Sequence, residues 1–331
     1  MSNQPKAVLI SDIHFTVSTL DLAAASLIAA SKRSVELNVP LIIAGDTLDS
    51  KAIIRAECAN KLMDILCRYP AQIIVGNHDL INEKGKEHSL EFLRAYGNII
   101  DMPLRWHEDL FLMPYMSSKD EFLSALEEIP AGSTIICHQG IMGADMGHYV
   151  QDKTSLPPET FANFRVISGH YHRAQDIKTG RPRKGAVGLF SYIGNPYTLS
   201  FGEAKDGPKG YQILHENGLL TQVPLNLRKH VIIERDINRL FLPTENINKD
   251  DLIWLKVTGP YIELERLNKK EVGERLFGHS NFKLDKIYSD APLIVNSDNS
   301  TGEQIMDKLI DASDEKAEEK QELKKLWRGL I

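Results

Sequence analysis

The feature that most constrains this chain is a short apolar run ending in polar residues, repeated through its first half. Ala7–Asp12 reads AVLISD, Leu41–Asp46 reads LIIAGD and Ala71–Asn77 reads AQIIVGN. Each run is continuous rather than alternating, which predicts strands buried on both faces. Helical spacing lies around them, over Leu20–Leu37, Lys51–Arg68 and Glu87–Tyr96. That alternation predicts a layered α/β core. Further strands are expected at Leu110–Tyr115, Thr134–His138, Arg165–Gly169 and Gly188–Gly194. The later ones follow one another with little helix between them. They predict a second, more antiparallel sheet packed on the first, a two-sheet sandwich flanked by helices.

Pro224–His230 reads as an exit from this domain. Strands at Val231–Asp236, Leu252–Val257 and Phe282–Tyr288, with a helix at Ile262–Phe277, predict a small α+β unit. The expected organisation is a main domain over 1–228, a small domain over 229–295 and a charged helical tail over 296–331. Lys and Arg number 39 and Asp and Glu 45, a net charge of −6, with 42 % apolar residues. That balance fits a globular protein and speaks against one that coats nucleic acid, though not against a local basic patch. No apolar run approaches the roughly 18 residues of a membrane span, and the N-terminal residues carry no leader signal. Three cysteines are too few for a disulfide framework or a thiolate zinc site. A cytoplasmic setting is expected.

The polar ends of the strands carry the chemistry. They deliver Asp12 and His14, then Asp46 and Asp49, then Asn77, His78 and Asp79, then His138, then His170 and His172. Ligands bind at the carboxyl ends of strands in open α/β sheets. In D-x-H and H-x-H two side chains point to one side of an extended chain. A glycine before Asp46, Asn77 and His170 permits close backbone approach. Mixed Asp, His and Asn donors suit first-row divalent metals. Each motif alone is ordinary turn chemistry; the joint occurrence at successive strand ends is the signal.

The set D-x-H, G-D-x-x-D, G-N-H-D, H and G-H-x-H closely resembles the calcineurin-like metallophosphoesterases, over Ala7 to about Leu225. The resemblance implies two divalent cations, manganese preferred and magnesium accepted. One would be held by Asp12, His14, Asp46 and His172, the other by Asp46, Asn77, His138 and His170, with Asp46 shared. His78 would stay off the metals and serve the leaving group. Asp49 is the expected partner of its ring; the competing reading is a helix N-cap.

The run Tyr192–Glu203 (YIGNPYTLSFGE), followed by Lys209-Gly210-Tyr211, resembles the end of the nuclease domain of SbcD-type proteins. The small unit after it resembles their capping domain. Its shortness suits a compact phage-type version, in the host cytoplasm. This resemblance implies a nuclease subunit of an SbcCD-type recombination and repair complex. The expected activities are 3′-to-5′ exonuclease on duplex ends and endonuclease on single strands, from a homodimer. The alternative on the same scaffold is a phosphatase or cyclic-nucleotide phosphodiesterase. Phosphatases of this family usually carry G-D-x-V-D-R-G and G-N-H-E, where this chain has G-D-T-L-D-S and G-N-H-D. A binding subunit with a degenerate site is disfavoured, because every ligand position holds a competent residue.

Arg173, Arg181, Arg183 and Lys184 read as a DNA-backbone contact beside the last ligand pair, or as a solvated hairpin. In the tail, Ile305 and Leu309 belong to one apolar stripe, and Leu323, Leu326, Trp327 and Leu330 to another. These stripes either dock onto the chain's own small domain or bind a partner. SbcD-type proteins hold the coiled-coil base of the SbcC ATPase with such a segment, so the resemblance implies an SbcC-type partner.

Overall fold

The computed structural model describes residues 3–51, 53–82, 86–147, 150–180, 188–242, 247–290, 306–307, 310–311, 313 and 317–328. The chain divides into two compact units. One is Met1–Val231 with Asp250–Leu252, the other Ile232–Lys249 with Ile253–Ile331.

The first unit holds two six-stranded sheets, neither of them closed. Its strands are β1 (Pro5–Ile10), β2 (Leu41–Ala44), β3 (Gln72–Ile74), β4 (Asn98–Ile100), β5 (Leu104–His107), β6 (Leu110–Met113), β7 (Thr134–Cys137), β8 (Arg165–Ser168), β9 (Gln175–Lys178), β10 (Leu189–Tyr192), β11 (Gly210–His215) and β12 (Leu220–Pro224). The first sheet runs β12-β11-β1-β2-β3-β4 and the second β5-β6-β7-β8-β10-β9. Helices α1 (Leu20–Leu37), α2 (Ala56–Arg68) and α3 (Lys119–Glu127) flank them.

Burial on both faces explains the continuous apolar runs. Val8, Ile10, Leu41, Ile43 and Ile73 pack with Leu27 of α1 and with Leu62 and Ile65 of α2. The alternate residues Ala7, Leu9, Ile42, Ala44 and Ile74 pack against Leu112, Ile136 and Ile167 of the second sheet. A third cluster joins that sheet's far face to Phe122 and Leu126 of α3.

Three expectations for this unit need correction. The second sheet is no more antiparallel than the first: β6, β7, β8 and β10 pair in parallel, and only the edge strands β5 and β9 are antiparallel, as β11 and β12 are in the first. The chain reaches its parallel pairings through loops with little regular helix, so helix spacing misleads there. The segment 87–96 forms only the 3-10 turn Glu91–Leu93. Its start is tied back to the preceding loop, where Ser89 N donates to Asp79 O at 2.8 Å and Ile81 N to Glu87 O at 2.9 Å. Helix α2 begins at Ala56 rather than Lys51.

The strands β13 (His230–Asp236), β14 (Leu252–Gly259) and β15 (Lys283–Tyr288) form one sheet in that order, which belongs to the second unit from Ile232 and Ile253 onward. The single helix expected at 262–277 is two, α4 (Tyr261–Glu265) and α5 (Lys269–Phe277). Asn268 divides them, because its side chain accepts from Lys270 N and Glu271 N and so caps α5. Helix α6 (Ala317–Arg328) lies in the tail. Among the described residues no helix is long and apolar enough to cross a membrane.

Candidate metal centre

The ends of β1, β2, β3, β7 and β8 meet at one rim. Backbone bonds stitch them there: Asp12 N to Gly45 O, His14 N to Asp46 O, and Gly169 N to Cys137 O, all at 3.1 Å. The approach is so close that side chains are excluded. A Cβ on Gly45 would lie 2.1 Å from His138 Nδ1, and one on Gly169 would lie 2.2 Å from Ala44 O. The backbone is bent to aim the donors. Asp12, His14, Asp46 and His170 adopt φ of 53°, 49°, 50° and 93°, a left-handed region that costs non-glycine residues energy and clusters at functional sites.

Asp12, His14, Asp46 and His138 are buried at the rim, each 2 % exposed or less. His14 Nε2 and His172 Nε2 face each other at 3.1 Å. Of the opposite ring nitrogens, that of His172 is hydrogen-bonded and that of His14 lies close to a carboxylate without a hydrogen bond. His172 Nδ1 donates to Glu203 Oε1 at 2.8 Å, and His14 Nδ1 lies 3.2 Å from Asp49 Oδ1. His172 therefore turns an Nε2 lone pair toward His14 Nε2. In the other half His138 Nδ1 donates to the Ala44 carbonyl at 2.8 Å. Its Nε2 then faces Asn77 Oδ1 at 3.0 Å and Asp46 Oδ2 at 3.2 Å, while His170 Nδ1 lies 2.8 Å from Asn77 Oδ1. Each of these contacts is satisfied by a proton on the imidazole or by a cation between the two atoms. Ligands at about 2.0–2.2 Å from one octahedral cation stand about 3 Å apart, the spacing seen in both halves. Donor atoms close enough to share one ion group as Asp12, His14 and His172 and as Asp12, Asp46 and His138, with Asn77 and His170 standing beside the second group.

The ionisation pattern follows the same field. Burial opposes a charge on His138, but the Asp46 carboxylate outweighs it and lifts the pKa to about 9. His14 is raised as well: Asp49, Asp46 and Asp12 overcome its burial. Asp46 is held far below the carboxylate range, since His138, His14 and His78 outweigh its burial. His170 falls to about 4, through burial and then repulsion from His138.

His78 lies beside the donor set: a ring nitrogen comes within reach of an ion shared with His14 and Asp49, its ring is edge-on to His14 at 4.9 Å between centroids, and its backbone N donates to Asp46 Oδ1 at 2.8 Å. The expected pairing with the Asp49 carboxylate takes a different form. His78 Nδ1 meets the Asp49 backbone carbonyl at 3.0 Å, while the carboxylate turns to His14. The buried imidazole beside two further carboxylates attracts the acid more strongly than the half-exposed ring does. The N-cap alternative fails as well, because α2 starts seven residues after Asp49 with Arg55 at its cap.

Arg173 is paired with Asp145. Arg181, Arg183 and Lys184 lie outside the described residues, as do Ile305, Leu309 and Leu330. Leu323 is exposed on α6, and Leu326 and Trp327 fall on the same helix.

The motifs left several supporting groups unread. Asp79 is fully buried and accepts from Gly76 N at 2.9 Å, Leu48 N at 3.0 Å and Thr47 N at 3.3 Å. It locks two strand-end loops together, and burial with the nearby Asp46 pushes its pKa up to about 6. Tyr115, just past β6, places its ring 5.9 Å from that of His170. A polar residue ending a sixth strand was the available signal for it. Glu203 and Asn195 come from a loop distant in sequence, where no spacing rule points to them.

Residues 5–174, just over half of the chain, match the family model described as Calcineurin-like phosphoesterase. No curated protein matches the sequence.

Proposed function

Because the chain belongs to the calcineurin-like phosphoesterases, we propose that it is a two-metal DNA phosphodiesterase, the nuclease subunit of an SbcCD-type complex. The observation that carries this reading is where the Tyr192–Glu203 run falls. That run bears the SbcD-type resemblance, and its last residue, Glu203, holds the His172 ring at 2.8 Å while Asn195 donates to Glu203 at 3.0 Å. The segment that carries the resemblance thus stands behind His172, one of the proposed ligands. Ser50 stands where the phosphatases carry arginine. A phosphomonoester brings an extra negative charge that an arginine fork would meet; a diester does not. This favours the diester over the phosphatase alternative.

Bound divalent cations would polarise the phosphoryl oxygens and acidify a water at the rim. The protein's own residues do the rest. Asp46, shared between the two halves, fixes their separation. Asp12 accepts from His170 N at 3.0 Å and so ties the first strand end to the last. His78, half-buried with its Nδ1–H donated to the Asp49 carbonyl, would give a proton from Nε2 to the leaving 3′-oxygen as the doubly protonated imidazolium, returning to the neutral Nδ1–H ring.

We further propose a homodimer that binds a coiled-coil ATPase of SbcC type through α6, with Arg181, Arg183 and Lys184 on the DNA backbone. Incubation with manganese and, separately, duplex DNA, circular single-stranded DNA, a phosphomonoester and cyclic AMP tests the activity. DNA cleavage is expected, and turnover of only the small molecules would overturn the nuclease reading. Deleting residues 302–331 is expected to leave single-strand cleavage intact and abolish association with the ATPase. A truncated chain that still co-purifies with it would contradict the partner assignment.

A further inference from the structure

Glu203, the partly buried acid that holds the His172 ring, touches no reacting atom. Glu203 ends the 3-10 turn Phe201–Glu203, and its side chain is 14 % exposed. Both oxygens are occupied. Oε1 accepts Nδ1–H of His172 at 2.8 Å. Oε2 accepts from Asn195 Nδ2 and Leu199 N, each at 3.0 Å. Lys209 Nζ lies 3.5 Å from Oε2 and is itself fixed, donating to His172 O at 2.9 Å, to Asp206 Oδ2 at 2.7 Å and to Asn195 Oδ1. The carboxylate therefore cannot turn away, and the same ammonium grips the backbone of the histidine it serves.

This arrangement dictates a tautomer. With its proton on Nδ1 and committed to a carboxylate, His172 carries its lone pair on Nε2. That atom points at His14 Nε2, 3.1 Å away, toward the gap that the first cation would fill. We propose that Glu203 is the positioning residue of His172: it fixes the Nδ1–H tautomer and the ring orientation, with Asn195 and Lys209 holding it to that task, so that the first cation is bound tightly. The inference rests on the reading of His172 as a ligand. His138 shows the contrast within the same molecule, since its Nδ1 is held by a neutral backbone carbonyl.

Two readouts on the full-length chain test this without reference to turnover. The first is manganese binding to the metal-free protein, by calorimetry and electron paramagnetic resonance. Glu203→Gln and Glu203→Ala are each expected to weaken one of the two positions by about tenfold to a hundredfold, leaving the other within a factor of two. The spectrum at limiting manganese should change from a coupled pair to an isolated ion. The second is the ¹⁵N shift of His172 in metal-free protein, which should report Nδ1–H in the parent and lose that signature in Glu203→Gln. Gln puts an amide donor in the cluster and still fills the space, so it carries the test if the Ala variant does not fold. His172→Ala separates the two levels. If it loses one position while both Glu203 variants keep parental affinities and tautomer, the positioning role is overturned and the ligand reading stands. If His172→Ala keeps both ions tightly, the ligand reading falls, and this inference with it.

Discussion

The two halves of the rim are buttressed in different ways. Around His14 and His172, carboxylates stand behind both imidazoles, Asp49 at 3.2 Å and Glu203 at 2.8 Å. Around Asn77, His138 and His170, the buttress is backbone: the Ala44 carbonyl holds His138, and the close approach at Gly45 and Gly169 sets the depth. One half relies on charge delivered by side chains, the other on where parallel strands stop. Charge can be tuned by single residues from remote loops. Backbone placement is fixed by the core that registers the strands, and the left-handed turns at Asp12, Asp46 and His170 show strain absorbed there.

The largest expected effect erases the distinction. Asp46 faces His138 at 3.2 Å and His14 at 3.9 Å, so Asp46→Ala should lose both cations and reduce turnover to background. Calorimetric titration with manganese checks it; two ions still bound tightly would refute the bridging role. Next comes a residue that belongs to neither half. His78→Ala should lower kcat by about a hundredfold to ten-thousandfold while keeping parental manganese affinity. Loss of an ion from that variant would move His78 into the ligand set.

Much of this was legible in advance, for definite reasons. The runs ending at Asp12, Asp46, Asn77, His138 and His170 are apolar on both faces and stop in polar residues, which marks strands and their functional ends together. The partner of each ligand was not legible in that way. Asp49 sits where an acid serving His78 is expected, and only the three-dimensional field sends its carboxylate to His14. Glu203 lies 31 residues beyond His172 on a turn with no periodicity of its own. The parallel centre of the second sheet was missed because its crossovers are mostly loops, and the segment 87–96 because loop bonds at Asp79 outcompete a helix.

A smaller effect sharpens the charge side of the comparison through pH. Glu203 falls from the ordinary 4.5 to about 2 in the folded chain. A depressed acid contributes stability that is full above the unfolded value and is lost as pH falls through the folded one. The contribution is about 3 kcal/mol at neutral pH, from roughly 1.4 kcal/mol per pH unit. In metal-free protein, the stability gap between parent and Glu203→Gln should narrow steadily from pH 5 to pH 2.5. Thermal melts across that range measure it, and a constant gap would show that the acid carries no depressed pKa. The smallest effect concerns DNA. Replacing Arg181, Arg183 and Lys184 together should weaken binding equally for all sequences, and flatten log affinity against log salt by about one for each phosphate contact removed. An unchanged slope would assign that loop to solvent.

The central claim is that both halves work as one centre around Asp46. Adding manganese stepwise to metal-free protein, with bound ion and phosphodiester cleavage followed in the same samples, tests it most directly. The account predicts two ions per chain and cleavage that appears only as the second position fills. Full cleavage at one equivalent, or saturation at a single ion, would contradict it.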